Sequence, residues 1–163
     1  KASPRRVRTS ASFSTLTAVL GEAPGTSLPL GELRYRRLLL LMDPDADGIH
    51  TAALVQLFCM RCMPTLIEQG FVWIIHAPWG EIRRPGLEPL LSFDAMEYRR
   101  QCRAVEGETG VLRIRHRGLG TITPEVLARS CVDPATRRAR ALTPADVRDA
   151  ARVFGGGEAG SAP

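Results

Sequence analysis

The run Leu38, Leu39, Leu40, Leu41 and Met42 ends abruptly at Asp43, Pro44, Asp45, Ala46, Asp47 and Gly48. An unbroken apolar stretch of this length suits a strand covered on both faces, the habit of sheets that carry helices on each side. The polar residues that close it mark a sharp turn rather than a continuing element. From His50 to Gln69 the pattern changes to a buried helix, with Leu54, Phe58, Cys62 and Leu66 at four-residue steps, Pro64 as a kink and Gly70 as terminator. Phe71 to Ile75 then reads as a second apolar strand, closed by Ala77, Pro78, Trp79 and Gly80. Strand, turn, helix and strand make a βαβ unit, and with it an α/β chain. Further helices are expected over 13–20, 93–103, 124–129 and 144–154, with a strand over 111–116.

Composition narrows the partners. In 163 residues, 22 basic and 17 acidic side chains give a net charge of +5, and all the basic residues except Lys1 are arginine. Between Arg99 and Arg140 ten arginines face only four acids, a local excess that favours a polyanion, although a solvated arginine-rich surface would look the same. No apolar run approaches the roughly 20 residues of a membrane span, and the Arg-rich start lacks a signal peptide's apolar core. A cytoplasmic chain with no membrane partner is expected. Cys59 and Cys62 sit inside the apolar helix, and with Cys102 and Cys131 they are expected to be reduced, packed thiols rather than a zinc site.

The acidic turn carries the strongest chemical signal. Asp43, Asp45 and Asp47 stand at alternate positions at the end of a buried strand, where three carboxylates repel one another unless a cation joins them. Hard oxygen donors invite a divalent cation, and magnesium is the natural candidate. One aspartate would suffice to cap the helix start, so capping alone does not account for three. A calcium EF-hand fails, because its twelfth loop position would be Leu54 and a leucine strand precedes it. His50 either faces the site or DNA, or is an ordinary helix-start histidine. His76 and His116 show no partner by spacing, and no nucleophilic triad can be assembled.

Three segments in order, LRYRRLLLLMDPDADGIH, MPTLIEQGFVWIIHAPWGEI and RHRGLGTITPEVLARSCVDPATRRARALTPADVRDA, resemble the Toprim region of the B subunit of bacterial type IIA DNA topoisomerases, gyrase and topoisomerase IV. The resemblance implies a Toprim-like, Rossmann-like parallel sheet flanked by helices with a helical C-terminal part. It divides the chain into 1–27 as a flexible or partly helical start, 28–110 as the Toprim core, 111–154 as the G-L-G loop and helical part, and 155–163 as a disordered tail.

Carried over by position, Asp43, Asp45 and Asp47 become ligands of Mg2+. Gly118, Leu119 and Gly120, with His50, line the loop near it. Phosphate contacts by Arg113, Arg115 and Arg117 to double-stranded DNA are expected besides, with an affinity that falls steeply with salt. The implied partners are the gyrase A-type subunit, whose tyrosine attacks the DNA, and the rest of the B subunit. ATP would act only through a domain not seen in this stretch. Tyr35 and Tyr98 are structural in this reading, and a nucleoid-associated, cytoplasmic location follows.

The departures are specific. The E-G-D-S and P-L-R-G-K segments of the family do not occur, which places the start of this stretch inside the Toprim fold and leaves the isolated chain expected to be inactive. The loop lysine is Arg117, the acid after G-L-G is Thr121, an isoleucine–arginine pair is Thr51 and Ala52, and P-P-L-Y-K reads Ala77, Pro78, Trp79, Gly80 and Glu81. Two functions remain open: a cleavage-supporting part of a topoisomerase B subunit, or a degenerate module that binds DNA or the A-type subunit without cleaving.

Overall fold

A computed structural model describes residues 10–21 and 33–154. The expected flexible start and tail fall, for residues 1–9, 22–32 and 155–163, outside the described residues. The chain divides into two compact units, one of residues 1–40, 50–74 and 141–163 and the other of residues 41–49 and 75–140.

In the first unit the apolar run forms β1 (Leu38–Leu41) and the second run forms β2 (Val72–Ile75). With β6 (Ala139–Ala141) they make a three-stranded sheet in the order β1-β2-β6. Leu38 N–H bonds to Phe71 O and Leu142 N–H to Val72 O, each at 2.8 Å. β1 is therefore an edge strand. Leu40 is buried while its neighbours are only half-buried, a departure from the coverage on both faces that the leucine run suggested.

The long helix also departs from expectation. It starts four residues earlier, so that α2 is Ala46–Cys62 and Asp47 lies in its first turn. At Met63 the backbone leaves helical space, and Pro64 opens a separate α3 (Pro64–Glu68). A residue before proline is driven out of the helical region, and proline itself has no N–H to continue the ladder. Phe58 and Leu66 are buried as the periodicity implies, but Leu54 is 46% exposed. α1 (Ala11–Leu20) lays Phe13 flat on Phe58 with ring centroids 4.0 Å apart, and α6 (Pro144–Phe154) buries Val147.

The second unit contains a sheet that hydropathy did not reveal. β3 (Gly80–Arg83) lies between β4 (Leu90–Ser92) and β5 (Leu112–Arg115), antiparallel to both, with Glu81 opposite Leu91 and Ile114. Its strands are three or four residues long, too short for alternation to show. α4 (Ala95–Ala104) packs against this sheet. Asp94 caps it by accepting from Glu97 N–H at 2.7 Å, Glu97 Oε2 accepts from Phe93 N–H at 2.7 Å, and Gln101 bonds Ser92 Oγ and Leu91 O. Gly80 is required here, because a Cβ would lie 2.5 Å from the Tyr98 ring. α5 (Pro124–Leu127) runs into a wide turn over Ala128–Val132 that buries Ser130 and Cys131.

Candidate functional site

The acidic turn lies in the second unit and is built by close backbone approach. Gly48 sits where a Cβ would fall 2.2 Å from the Asp43 carbonyl oxygen, so only glycine lets the start of α2 fold back over the turn. Asp45 accepts the Gly48 N–H at 2.8 Å, and its carbonyl accepts Ile49 N–H at 3.1 Å. Asp47 occupies the first turn of α2, where the exposed amides and the helix dipole favour a carboxylate.

The G-L-G segment meets this turn. Leu119 N–H donates to Asp43 Oδ1 at 2.6 Å, although 76 residues separate them. A Cβ on Gly118 would lie 3.2 Å from the same oxygen, whereas nothing stands within 4 Å of one on Gly120. The first glycine of the pair is thus fitted to the carboxylate and the second is not. Thr121 closes the segment as a 3₁₀ turn, with its N–H and hydroxyl both donating to Gly118 O, at 3.0 and 2.7 Å.

The three arginines of β5 and the loop have different employments. Arg113 donates to Val105 O at 3.3 Å. Arg115 lies over the Trp79 ring, 3.5 Å from its centroid, and donates to Trp79 O at 2.8 Å and to Pro44 O at 3.3 Å. Burial, and next the charge of Arg117, lower the basicity of Arg115, while Asp45 and Tyr98 work in the opposite direction. Arg115 therefore ties the sheet to the acidic turn. Arg117 is exposed at the foot of the G-L-G segment. Tyr98 packs on Trp79 with ring centroids 5.4 Å apart.

Asp43, Asp45 and Asp47 offer the oxygen donors that a hard cation takes. Among the described residues no three His, Cys, Asp or Glu side chains converge as a metal-holding group, and Asp43 and Asp45 each give one oxygen to a backbone N–H. His50 belongs to the first unit, one turn into α2, where its ring stacks on Phe154 with centroids 5.6 Å apart. No disulfide joins any of the four cysteines, and Cys59 and Cys131 are buried. His116, which showed no partner by spacing, is 1% exposed, with Nε2 3.3 Å from Glu81 Oε2 and Nδ1 3.5 Å from Thr121 Oγ1. Glu81 and His116 could not be found by motif. The only signal was an acid where the resemblance implied a lysine.

Both the fold and the sequence are similar to known proteins. The class comes from the fold, which matches a crystal structure of the Plasmodium falciparum topoisomerase II DNA-binding, cleavage and re-ligation domain with a TM-score of 0.64 and 23% identity, over 76% of this chain and 17% of that one. This is a Toprim-like α/β fold of the kind found in type II topoisomerases. The sequence relatives are DNA gyrase B subunits: 30% identity over 154 residues with that of Thermotoga maritima and 29% over 154 with that of Archaeoglobus fulgidus, each covering 94% of this chain and 24% of the relative. That of Haloferax volcanii is 31% identical over 144 residues, covering 85% and 22%. The chain thus resembles, over most of its length, a divergent stretch of a type IIA B subunit, and spans about a quarter of the relatives it matches. No protein-family model matches it. No helix among the described residues is long and apolar enough to cross a membrane.

Proposed function

We propose that this chain is the Toprim portion of the B subunit of a bacterial type IIA DNA topoisomerase, supporting DNA cleavage and religation by the tyrosine of an A-type partner. The observation that carries the reading is the meeting of the acidic turn and the G-L-G segment at Asp43 through Leu119 N–H. Two motifs far apart in sequence form one polar surface, with exposed Arg117 beside the loop. Arg117 would bind a DNA phosphate through its planar fork, joined by the remaining donors of Arg113 and Arg115.

Asp43, Asp45 and Asp47 would hold Mg2+ in the complete protein, with a further carboxylate from outside this stretch. The ion, when bound, would supply positive charge to the scissile phosphate. The residues of this chain would position the DNA backbone: Arg117 by charge, the G-L-G segment by shape, and Arg115 by holding the acidic turn through Pro44 O. ATP-driven strand passage would lie with other parts of the subunit. A nucleoid-associated location in the cytoplasm follows from this role.

One observation favours the second reading, a module that binds DNA or the A-type subunit without cleaving. Asp43 and Asp45 each accept a backbone N–H, and among the described residues no three-ligand cluster is formed. Magnesium-dependent DNA cleavage by the complete B subunit with its A-type partner separates the two. Cleavage that is lost in Asp43→Ala and Asp45→Ala supports the first; binding of DNA without cleavage in the wild type supports the second.

A further inference from the structure

Glu81 has no exposed surface, yet it is a carboxylate in the middle strand of a small sheet. A charge so placed is costly unless paired and hydrogen-bonded. Its Oε1 accepts from Arg83 Nε at 2.5 Å, and its Oε2 faces His116 Nε2 at 3.3 Å without the alignment of a full hydrogen bond. The backbone of His116 is anchored by its amide N–H, which donates to Trp79 O at 3.1 Å. On its other side Nδ1 faces Thr121 Oγ1, whose proton is committed to Gly118 O. The ring thus lies between a buried carboxylate oxygen and a hydroxyl oxygen, one facing each of its nitrogens.

We propose that Glu81, His116 and Thr121 form a positioning relay that runs from the core of the antiparallel sheet to the G-L-G turn and holds Leu119 N–H on Asp43. Each link lies inside the second unit: β3 carries Glu81, His116 directly follows β5, and the 3₁₀ turn carries Thr121. The relay touches neither DNA nor the acidic turn directly. It fixes the loop that does, and a plain apolar core would not specify the turn's rotation in the same way. The inference deepens the function proposed above by naming what sets the geometry of the surface proposed to face DNA.

The test is amide hydrogen exchange, followed residue by residue by NMR, on the 163-residue chain without DNA or metal, so that failure of the topoisomerase reading leaves it intact. In Glu81→Gln, His116→Gln and Thr121→Val, Leu119 protection is expected to fall about tenfold, toward its level in Asp43→Asn. Tyr98 in α4 and Val147 in α6 should keep theirs, and Thr121→Ser should restore Leu119. Unchanged Leu119 protection in Thr121→Val, or an equal loss at Leu119 and Tyr98, would overturn the proposal. Thr121 is exposed, so its variants decide the matter even if a change at the buried pair prevents folding.

Discussion

Leu119 N–H and Asp43 Oδ1 are 2.6 Å apart, and this one bond joins the acidic turn to the G-L-G segment. Replacing Asp43 by alanine removes a charged acceptor at a solvent-facing position. The expected loss is about 1 kcal/mol, the lower end for a charge-assisted bond because water competes for it. Urea unfolding followed by circular dichroism measures it, and an unchanged midpoint would show that the bond does not persist in solution.

Gly48→Ala is expected to be far more damaging than Gly120→Ala. The first would place a methyl group 2.2 Å from the Asp43 carbonyl oxygen, a backbone atom that cannot rotate away. Strain of this kind costs about 2 kcal/mol or more, while the open position at Gly120 should change stability by roughly 0.5 kcal/mol or less. Thermal melts of both variants provide the comparison.

Arg115 and Arg117 should separate stability from DNA affinity. Arg115→Ala removes a guanidinium stacked on Trp79 and bonded to two carbonyls, with an expected loss of about 1–3 kcal/mol in unfolding free energy. Arg117→Ala should leave stability near wild type while reducing the slope of log affinity for duplex DNA against log salt by about 1. Fluorescence anisotropy across a salt series gives that slope. An unchanged slope would remove Arg117 from the DNA contact.

His76 carries a pH dependence. Burial first, then the charges of Arg140 and Arg138, hold its imidazole below the ordinary value near 6.5. In the unfolded chain the ring takes up its proton at the higher pH. The stability His76 contributes is therefore present above about pH 6.5 and lost as pH falls through the lowered folded value. NMR titration should find His76 titrating below 6.5, and Arg140→Gln should move it upward.

The βαβ core was legible because its signal is local. Leu38–Leu41 and Val72–Ile75 are continuous apolar runs, Gly70 turns the chain between helix and strand with φ +69°, and Pro64 splits the helix where the rules for proline require. The strand over 112–115, the helix over 144–154 and the acidic turn were also expected close to their observed bounds. β3, β4 and β6 were not, since three- and four-residue strands with mixed polarity are fixed by their neighbours rather than by period. Leu54 shows the same limit, because a four-residue repeat names a helix face without saying where the cover over that face stops.

What the amino acids alone determined is the inventory of the turn: three aspartates at alternate positions and a glycine after them, with a G-L-G segment that only the resemblance set beside them. Spacing is enough to establish the acidic turn, because that motif is a local pattern at a strand's end. Tertiary structure decided which carboxylate meets which amide, that Arg115 serves the turn while Arg117 stays exposed, and that Glu81 is buried against His116. These are long-range relationships. Coulomb energy and burial depend on distance in space, and only the folded backbone brings residues 43 and 119, or 81 and 116, within reach of one another.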